Sequence, residues 1–322
     1  MSERVQAIAQ VGEVELIHRI RRRIQGNASV AVGIGDDAAV LLAPHRGRLL
    51  FASDMLIEGV HFHRRSVPAR QIGWKALACN VSDVAAMGGR PLWAVISLGL
   101  PPRTSVPFVD ALYAGLERCA RRFGVAIVGG DTVRAKQVVV DVAIIGTVEP
   151  ERVVLRSGAQ PGDALFVTGR LGGSYRSGRH ARFLPRLAEA QALARRVRVH
   201  AMIDLSDGLA SDLWQVSRAS GMSLRVDIAR IPLSNAARKC LRRRCPCRAW
   251  RGWQAQFHAL MDGEDFELLF AVGAGAATRI PHRVRSCPVT RIGRVMARGI
   301  GVELEWPTGR VCELVPSGFR HF

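Results

Sequence analysis

The chain has 322 residues, of which 48% are hydrophobic and 23% charged, a composition typical of a globular protein and unlike that of a disordered or fibrous chain. Its 46 Lys and Arg residues against 27 Asp and Glu give a formal net charge of +19, which favours polyanionic partners such as nucleic acid, nucleotides or phosphorylated metabolites. No apolar run reaches the roughly 20 residues that a transmembrane helix needs, and the N-terminus lacks an apolar signal core, so we expect a cytoplasmic protein with no membrane partner.

The first half of the chain is predicted to mix helices and strands. Apolar residues at helical spacing predict helices over 11–24, 67–88 and 105–123. Short β-rich runs predict strands at 29–34, 38–42, 49–53, 92–100, 125–128 and 138–148. The polar stretch 149–162, which contains Gly and Pro, predicts a domain junction. We therefore expect an N-terminal α+β domain over residues 1–149.

A C-terminal α/β domain is predicted over residues 150–322. Its strands are expected at 164–168, 224–228, 266–272, 289–295, 301–306 and 311–315. Ser206 is predicted to cap a helix that continues to about residue 219. The first strand of this half leads into the glycine-rich sequence GRLGGS at 169–174.

The cysteines and arginines each leave two interpretations open. Seven scattered cysteines favour reduced thiols. Cys240, Cys245 and Cys247 offer metal ligands together with His258 or His282, but their spacing fits no standard zinc module. Arginine-rich tracts at 176–200, 230–251 and 279–298 are consistent with nucleic-acid binding or with a solvated basic face. We favour the basic face, because the tracts lack the interleaved aromatic residues of a stacking platform.

In so basic a chain the carboxylates are the most informative side chains. Nine of the fourteen aspartates fall into six islands, most of them at strand ends: Asp36, Asp37, Asp54, Asp83, Asp131, Asp204, Asp207, Asp262 and Asp265. One aspartate beside Gly or Ser commonly makes a turn or a cap. Six such islands predict Mg²⁺ ions beside a polyphosphate, since each ion takes only one or two carboxylates.

Two common nucleotide-binding motifs are excluded. The sequence Gly33-Ile34-Gly35 follows a predicted strand, with Asp54 about twenty residues later, and so mimics a dinucleotide fingerprint. That fingerprint must open a helix, but Pro44 and Gly47 leave no room for one. None of the three lysines follows a glycine and precedes Ser or Thr, so a Walker A loop is absent as well.

The order of several motifs provides a stronger signal. The motifs GIGDDAAVL, SDMLIEGVHF, WKALACNVSDVAAMG, IVGGDTVR, LRSGAQPGD, IDLSDGLASDL and DGEDFELLF occur in that order. From about residue 12 to the C-terminus the sequence resembles thiamine-monophosphate kinase, of the superfamily typified by aminoimidazole ribonucleotide synthetase. The resemblance implies an N-terminal α+β domain whose sheet pairs with that of a second subunit, a C-terminal α/β domain, and ATP with several Mg²⁺ ions between the two domains.

The resemblance also implies roles for individual residues. The implied metal ligands are Asp37, Ser53, Asp54, Asp83, Asp131, Asp204 and Asp207. The implied ATP contacts are Gly130, Asp131, Arg156 and Ser206. The implied contacts to thiamine phosphate are His61, Glu264 and Phe319. Three of these residues also have a structural interpretation: His61 as a buried structural histidine, Arg156 as a surface arginine and Phe319 as C-terminal packing.

The implied reaction is ATP-dependent phosphorylation of thiamine monophosphate to thiamine diphosphate in a homodimer. No general base is expected, because the acceptor is already a phosphate anion; metal ions and Arg156 would screen the charge. Three features depart from the family pattern: Ala52 before the Asp54 motif, a short segment after Ser174, and Phe183 in place of a proline. The alternatives are a related synthetase, with selenophosphate synthetase disfavoured because residues 1–30 lack cysteine, or a nucleic-acid-binding protein on an inherited kinase scaffold.

Overall fold

The computed structural model describes residues 10, 13–24, 27–32, 40–42, 47–239 and 250–315. The chain divides into two compact units. Unit 1 comprises residues 1–84 and 89–150, and unit 2 comprises residues 85–88 and 151–322. Within the described ranges, no helix is both long enough and apolar enough to cross a membrane.

Unit 1 combines helices with a mixed sheet. Its helices are α1 (Glu13–Arg23), α2 (Ala69–Ala86, whose last two residues belong to unit 2) and α3 (Val106–Phe123). Its strands are β1 (Val30–Val32), β2 (Val40–Leu41), β3 (Arg48–Ile57), β4 (Arg90–Leu100), β5 (Ala126–Arg134) and β6 (Val139–Val148). Helix α3 ends as predicted, because Gly124 adopts the left-handed conformation and its N–H bonds back to Ala120.

The main sheet of unit 1 has the strand order β3-β6-β4-β5. Strand β6 pairs antiparallel with β3 and β4, whereas β4 pairs parallel with β5. Alternate residues of β6, including Val140, Val142 and Ile144, are fully buried, and the residues between them are only half-buried. One face of this sheet is therefore packed into the core, and the other is partly open.

Helices α2 and α3 approach each other closely at two glycines. A Cβ atom on Gly73 would lie 1.9 Å from the carbonyl oxygen of Leu112, and one on Gly115 would lie 1.9 Å from that of Arg70. Neither position accepts a side chain unless the helices separate. These glycines explain how α2, which carries Asp83, is held tightly against α3.

Strand β5 is longer than the sequence predicted. The prediction ended at residue 128, before the Gly-Gly pair, but the strand continues to Arg134 and pairs Asp131 with Ser97. Gly130 makes the extension possible: its φ is 156°, and a Cβ there would lie 1.9 Å from the carbonyl oxygen of Ile96. A glycine that looked like a strand terminator instead permits close backbone approach within the sheet.

Unit 2 contains a larger sheet. Its helices are α4 (Leu187–Arg196), α5 (Leu209–Ser220), α6 (Asn235–Arg238), α7 (Gln254–Met261) and α8 (Ala274–Ala277). Its strands are β7 (Ala164–Thr168), β8 (Val199–Asp204), β9 (Met222–Asp227), β10 (Leu268–Val272), β11 (Arg283–Val284), β12 (Cys287–Arg298), β13 (Gly301–Glu305) and β14 (Val311–Glu313). The strand order is β14-β13-β9-β12-β7-β10-β8, with β11 added against β12.

The sequence missed six elements of unit 2 and misassigned one cap. Helices α4, α6, α7 and α8 and strands β8 and β11 were not predicted. Helix α4 buries mainly Leu187, Ala190 and Leu193, and alanine gives only a weak periodic signal. The prediction that Ser206 caps the following helix is wrong. Helix α5 begins at Leu209 with Gly208 at its N-cap and no side-chain cap, so Ser206 lies in the preceding loop.

Candidate active site

In unit 1, one level of the sheet carries two aspartates on strands that flank β4. Asp131 of β5 and Asp141 of β6 both pair with Ser97 of β4. The Ser53 hydroxyl of β3 donates to Oδ1 of Asp141 at 3.0 Å. The sheet therefore brings Ser53, one of the predicted metal ligands, to a carboxylate at the same level as Asp131, and all three side chains are at least partly exposed.

Asp54 is oriented differently from Ser53. Because successive strand residues point to opposite faces, Asp54 shares the face of buried Leu56, whereas Ser53 shares the face of exposed Phe51. Asp83, another predicted ligand, is half-buried on helix α2. Ser53 and Asp54, two of the predicted ligands, thus lie on opposite faces of β3.

His61 has a local structural role. Its Nδ1 accepts a hydrogen bond from the backbone N–H of Ile57 at 3.0 Å, and its carbonyl oxygen accepts one from Nζ of Lys75 at 2.9 Å. The side chain is half-buried rather than buried. Lys75 itself is fully buried, and such a cation needs fixed acceptors around it. This pair fixes the turn that follows β3.

Unit 2 contains a tight acidic cluster at the end of β8. Asp204 is the last residue of that strand, Asp207 lies in the loop before α5, and Asp212 is in the first turn of α5. Burial and repulsion by Asp204 and Asp207 raise the pKa of Asp212 well above its usual value, and Arg156 acts in the opposite direction. We call Arg156, Asp204, Asp207 and Asp212 the β8 cluster.

Glu264 is held beside the β8 cluster by backbone hydrogen bonds between two loops. Its N–H donates to the carbonyl oxygen of Ser206 at 2.7 Å, and the N–H of Phe266 donates to that of Leu205 at 2.8 Å. Both Glu264 and Phe266 have positive φ angles, 54° and 48°, a conformation that costs energy for residues other than glycine. The predicted ATP contact Ser206 and the predicted substrate contact Glu264 are therefore neighbours.

A buried ionic network fixes the second of these loops. Asp265 accepts hydrogen bonds from the N–H of Gly172 at 2.8 Å, from Arg179 at 2.9 Å and from the hydroxyl of Ser174. Glu267 accepts two bonds from Arg186, both at 2.6 Å. Burial raises the pKa of Asp265 to about 7, against the lowering effect of Arg179. Charged groups this deeply buried need such complete pairing.

The short segment after Ser174 therefore has a definite role in unit 2. It supplies both arginines of the network, and the ring of Phe183 stacks on that of Phe266 with centroids 3.9 Å apart. The residue that departs from the family pattern thus packs directly on the loop that carries Glu264. At least two arginines of the tract 176–200, Arg179 and Arg186, therefore pair with buried carboxylates of unit 2 and are not simply part of a solvated basic face.

Several sequence predictions lie outside the described residues: Asp36, Asp37, Phe319, Cys240, Cys245 and Cys247. The four cysteines that are described as free are Cys79, Cys119, Cys287 and Cys312. Nδ1 of His258, a residue that could join the cysteines of segment 240–247 as a metal ligand, lies 2.9 Å from Oδ1 of Asp262. Across the described ranges, no three His, Cys, Asp or Glu side chains are arranged to hold a metal ion on their own.

Sequence reasoning missed several polar residues of these sites, among them Asp141, Asp212 and Lys75. Asp141 and Asp212 stood outside the counted islands, and Lys75 was noted only as one of the three lysines. A signal for Asp212 was present, because IDLSDGLASDL places it one helical turn after the loop. The sequence contained no comparable signal for Asp141. It is a single aspartate in an otherwise apolar strand, and only the register of the sheet places it near Ser53.

Comparison with known proteins identifies the class of fold. The model of the AIR synthase related protein N-terminal domain matches residues 35–148, and that of the corresponding C-terminal domain matches residues 174–305. The chain thus has the two-domain architecture of the AIR synthase related proteins.

More specific relatives match nearly the whole chain. Thiamine-monophosphate kinase of Rhodopirellula baltica is 37% identical over 317 residues, which cover 96% of this chain and 97% of the relative. The crystal structure of thiamine-monophosphate kinase from Stenotrophomonas maltophilia is 33% identical, covers 90% of this chain and 95% of its own, and superposes with a TM-score of 0.76. A structure described as AaThiL complexed with AMPPCP and TMP is 31% identical, with coverage of 99% and 100% and a TM-score of 0.74. The chain belongs to the thiamine-monophosphate kinase family.

Proposed function

We propose that this protein is a kinase that transfers the γ-phosphoryl group of ATP to thiamine monophosphate and forms thiamine diphosphate. The observation that carries the proposal is the match to thiamine-monophosphate kinases across both units. The similar structure complexed with AMPPCP and TMP supports an ATP-like co-substrate and a phosphorylated acceptor. ATP and a biosynthetic substrate are consistent with a cytoplasmic location, which is part of the proposal.

The adjacent loops of unit 2 support the binding of both substrates there. We assign Ser206 and Arg156 to ATP and Glu264 to thiamine monophosphate, as the family resemblance implies. The assignment is supported by the hydrogen bond between Glu264 and Ser206, which keeps the two residues in fixed register. In unit 1 we assign Gly130 and Asp131 to ATP and His61 to the acceptor. Asp37 and Phe319 keep their predicted roles, although they lie outside the described residues.

Mg²⁺ is the proposed cofactor, and the donor set fits it. The proposed ligands in the described residues are Ser53, Asp54, Asp83, Asp131, Asp204 and Asp207, all of which offer the hard oxygen atoms that Mg²⁺ prefers. Since the described side chains form no complete ligand set, water and ATP oxygens would complete the coordination. Bound Mg²⁺ would neutralise charge on the phosphates.

The chemistry requires positioning more than proton transfer. The attacking atom is an oxygen of a phosphate whose second pKa is about 6, so it carries its negative charge near neutral pH without a protein base. What opposes the reaction is repulsion between two anions. Arg156 provides a fixed positive charge at the β8 cluster, and rigid loops that align the acceptor with the γ-phosphorus lower the entropic part of the barrier.

We also propose that the protein is a homodimer that uses the open face of the unit 1 sheet. Five large apolar side chains are exposed on this face: Leu49, Phe51, Met55, Val95 and Val133. They lie on β3, β4 and β5, and the register of the sheet puts them on one side. Five large apolar side chains exposed on one sheet face are uncommon on a monomer. A second copy is the occupant we propose, because two identical apolar sheet faces pack well together.

A coupled assay of ADP release tests the proposed reaction. The purified protein is incubated with ATP and Mg²⁺, and with thiamine monophosphate, thiamine, or an unrelated phosphate monoester as acceptor. We expect ADP and thiamine diphosphate to form in equal amounts with thiamine monophosphate only, since thiamine lacks the nucleophilic phosphate. Equal turnover with the unrelated monoester would overturn the assigned specificity, and ADP release without an acceptor would indicate an ATPase.

A further inference from the structure

One carboxylate oxygen in the β8 cluster is buried without a partner. Asp212 is 2% exposed. Among the described residues, none forms a hydrogen bond with its Oδ2, although the carboxylate does accept one from the backbone N–H of Asp207. An unsatisfied carboxylate oxygen in the interior destabilises the fold unless something compensates for it.

The surroundings of Asp212 increase this cost. Asp204 and Asp207 repel its carboxylate, and Arg156 is the one cation described as attracting it. Of the charged groups described as acting on Asp212, two are carboxylates and one is a guanidinium. Asp212 lies in the first turn of α5, where its backbone N–H bonds to the carbonyl oxygen of Gly208 at 3.0 Å, so its side chain is fixed relative to the loop that carries Asp207.

We propose that Asp212 is a positioning residue of a divalent-cation site in unit 2, where its Oδ2 accepts a hydrogen bond from a water molecule on the cation that Asp204 and Asp207 hold. This inference rests on the cation included in the proposed function. Mg²⁺ typically keeps several water ligands and takes only one or two carboxylates. A water-mediated role also agrees with the absence, in the described ranges, of three side chains that could ligate a metal directly.

A second buried aspartate provides a matched control. Asp163 is also 2% exposed, but its Oδ2 accepts a hydrogen bond from the backbone N–H of Gln160 at 2.8 Å and lies 2.9 Å from Nδ1 of His200. The two aspartates are equally buried and differ in whether their oxygens are satisfied. Asp163→Asn should therefore destabilise the protein and leave the affinity for the cation unchanged. Asp212→Asn should weaken cation binding and leave the stability of the metal-free protein unchanged or higher.

The test measures binding of Mn²⁺, as a substitute for Mg²⁺, by electron paramagnetic resonance of the free ion, with and without ADP. We expect Asp212→Asn to weaken Mn²⁺ binding at this site about ten-fold or more, the usual effect of losing a residue that orients a metal ligand. Asp204→Asn should weaken it at least as much, and Asp163→Asn should bind as the wild type does. Unchanged affinity in Asp212→Asn, or no Mn²⁺ binding by the wild type under either condition, would overturn the proposal.

Thermal unfolding provides the second readout. Without metal, Asp212→Asn should unfold at the wild-type temperature or higher, because the substitution removes a repelled charge and keeps an acceptor for Asp207. The rise in Tm that saturating Mn²⁺ produces should be smaller than in the wild type. If Asp212 only supported the fold, the metal-free protein would be destabilised and the Mn²⁺ effect would persist. If Asp212→Asn and Asp212→Ser both failed to fold, that result would equally overturn the proposal.

The kinase assay separates this inference from the proposed function. If Mn²⁺ binding depends on Asp212 but no phosphate reaches thiamine monophosphate, the cation site stands and the proposed reaction is wrong. If the protein is an active kinase but its Mn²⁺ affinity is the same in the wild type and in Asp212→Asn, the proposed reaction stands and this inference is wrong.

Discussion

The backbone N–H of Glu264 donates to the carbonyl oxygen of Ser206 at 2.7 Å. This hydrogen bond joins the two loops that carry the motifs IDLSD and DGEDF, which are more than fifty residues apart in the sequence. Gly263 makes the contact possible: its φ is 69°, and a Cβ there would lie 2.8 Å from the same carbonyl oxygen. The distance between the proposed ATP and acceptor contacts thus depends on a glycine that is not itself one of the proposed contacts.

We predict that Gly263→Ala destabilises the protein by about 3 kcal/mol or more, because it combines left-handed backbone strain with a clash against a backbone oxygen. The KM for thiamine monophosphate should rise as Glu264 is displaced. Gly162→Ala is the control, since Gly162 also has a positive φ of 87° but faces open space, and it should cost only about 1–2 kcal/mol. Urea unfolding measures both variants, and equal costs would show that the clash is relieved by a small loop movement.

Asp131 and Asp54 provide the second prediction. If they hold Mg²⁺ beside the phosphates, Asp131→Asn and Asp54→Asn should each lower kcat about a hundred-fold or more, with only partial rescue by added Mg²⁺. Asp227→Asn is the control: its side chain caps Ala229 at 3.0 Å, and asparagine keeps that acceptor, so the rate should be unchanged and the stability within about 0.5 kcal/mol. Similar rates in all three folded variants would mean that the island aspartates only form turns.

Asp110, an aspartate outside the six islands, is a second control for the same comparison. It binds Arg19 through two hydrogen bonds, at 2.8 and 2.6 Å, between α3 and α1. The pair is partly exposed, so Asp110→Asn should cost less than about 1 kcal/mol in stability. Its kinase rate should remain that of the wild type.

The pH dependence of the reaction is the third prediction. The rate at saturating Mg²⁺ should rise through about pH 6, where the acceptor phosphate loses its second proton, and then stay level toward alkaline pH. A thiamine monophosphate analogue with a more acidic phosphate should shift this limb to lower pH. A second limb near neutrality that did not move with the acceptor would indicate a titrating protein group.

Much of unit 1 could be predicted from its sequence because its signals are local. Helix α2 and strands β4 and β6 have strong apolar patterns, and Gly124 terminates α3 as its conformational freedom predicts. Strand β5 was cut short because Gly129 and Gly130 resemble a turn in isolation. Only the partner strand β4 shows that Gly130 is needed for close approach to Ile96, and pairing of that kind is not encoded within a short window.

The candidate site follows the same division. The acidic islands and the motif order were visible in the sequence, so Asp204, Asp207 and Glu264 could be named. Asp212 could not be recognised as unsatisfied, because satisfaction depends on what surrounds an oxygen in three dimensions. The role of Phe183 could not be recognised from the sequence either. This residue stands where the family has a proline, and only the structure shows that its ring stacks on that of Phe266.

The open face of the unit 1 sheet leads to the fourth prediction. Phe51, on the edge strand β3 of this sheet, is 76% exposed, so Phe51→Asp should bury a charge in the proposed interface and shift the protein from dimer to monomer. Ile300→Asp is the control, because Ile300 is also a large exposed apolar residue, 62% exposed, but it belongs to unit 2, between β12 and β13. Light scattering at micromolar concentration distinguishes the two masses, and a monomeric wild type would refute the proposed dimer.

The fifth prediction concerns Asp265 and the stability of unit 2. Burial raises its pKa to about 7 in the folded protein, against about 3.9 for an unfolded chain. Between these values the folded state keeps a proton that the unfolded state has released, so stability from this group is greatest at low pH and is lost as the pH rises toward 7. Asp265→Asn removes the group and with it this dependence.

From pH 5 to pH 7 the wild type should therefore lose about 2 kcal/mol more of its free energy of unfolding than Asp265→Asn does. Urea titrations of both proteins at the two pH values measure this difference in the free energy of unfolding. Because the two proteins are compared, the contributions of all other titrating groups cancel if the substitution leaves those groups undisturbed. Arg179, whose Nη2 lies 2.9 Å from the carboxylate, lowers the pKa of Asp265 and so acts against this pH dependence. An equal loss in the two proteins would mean that Arg179 keeps Asp265 ionised already at pH 5, and that the network is a charged pair throughout this range.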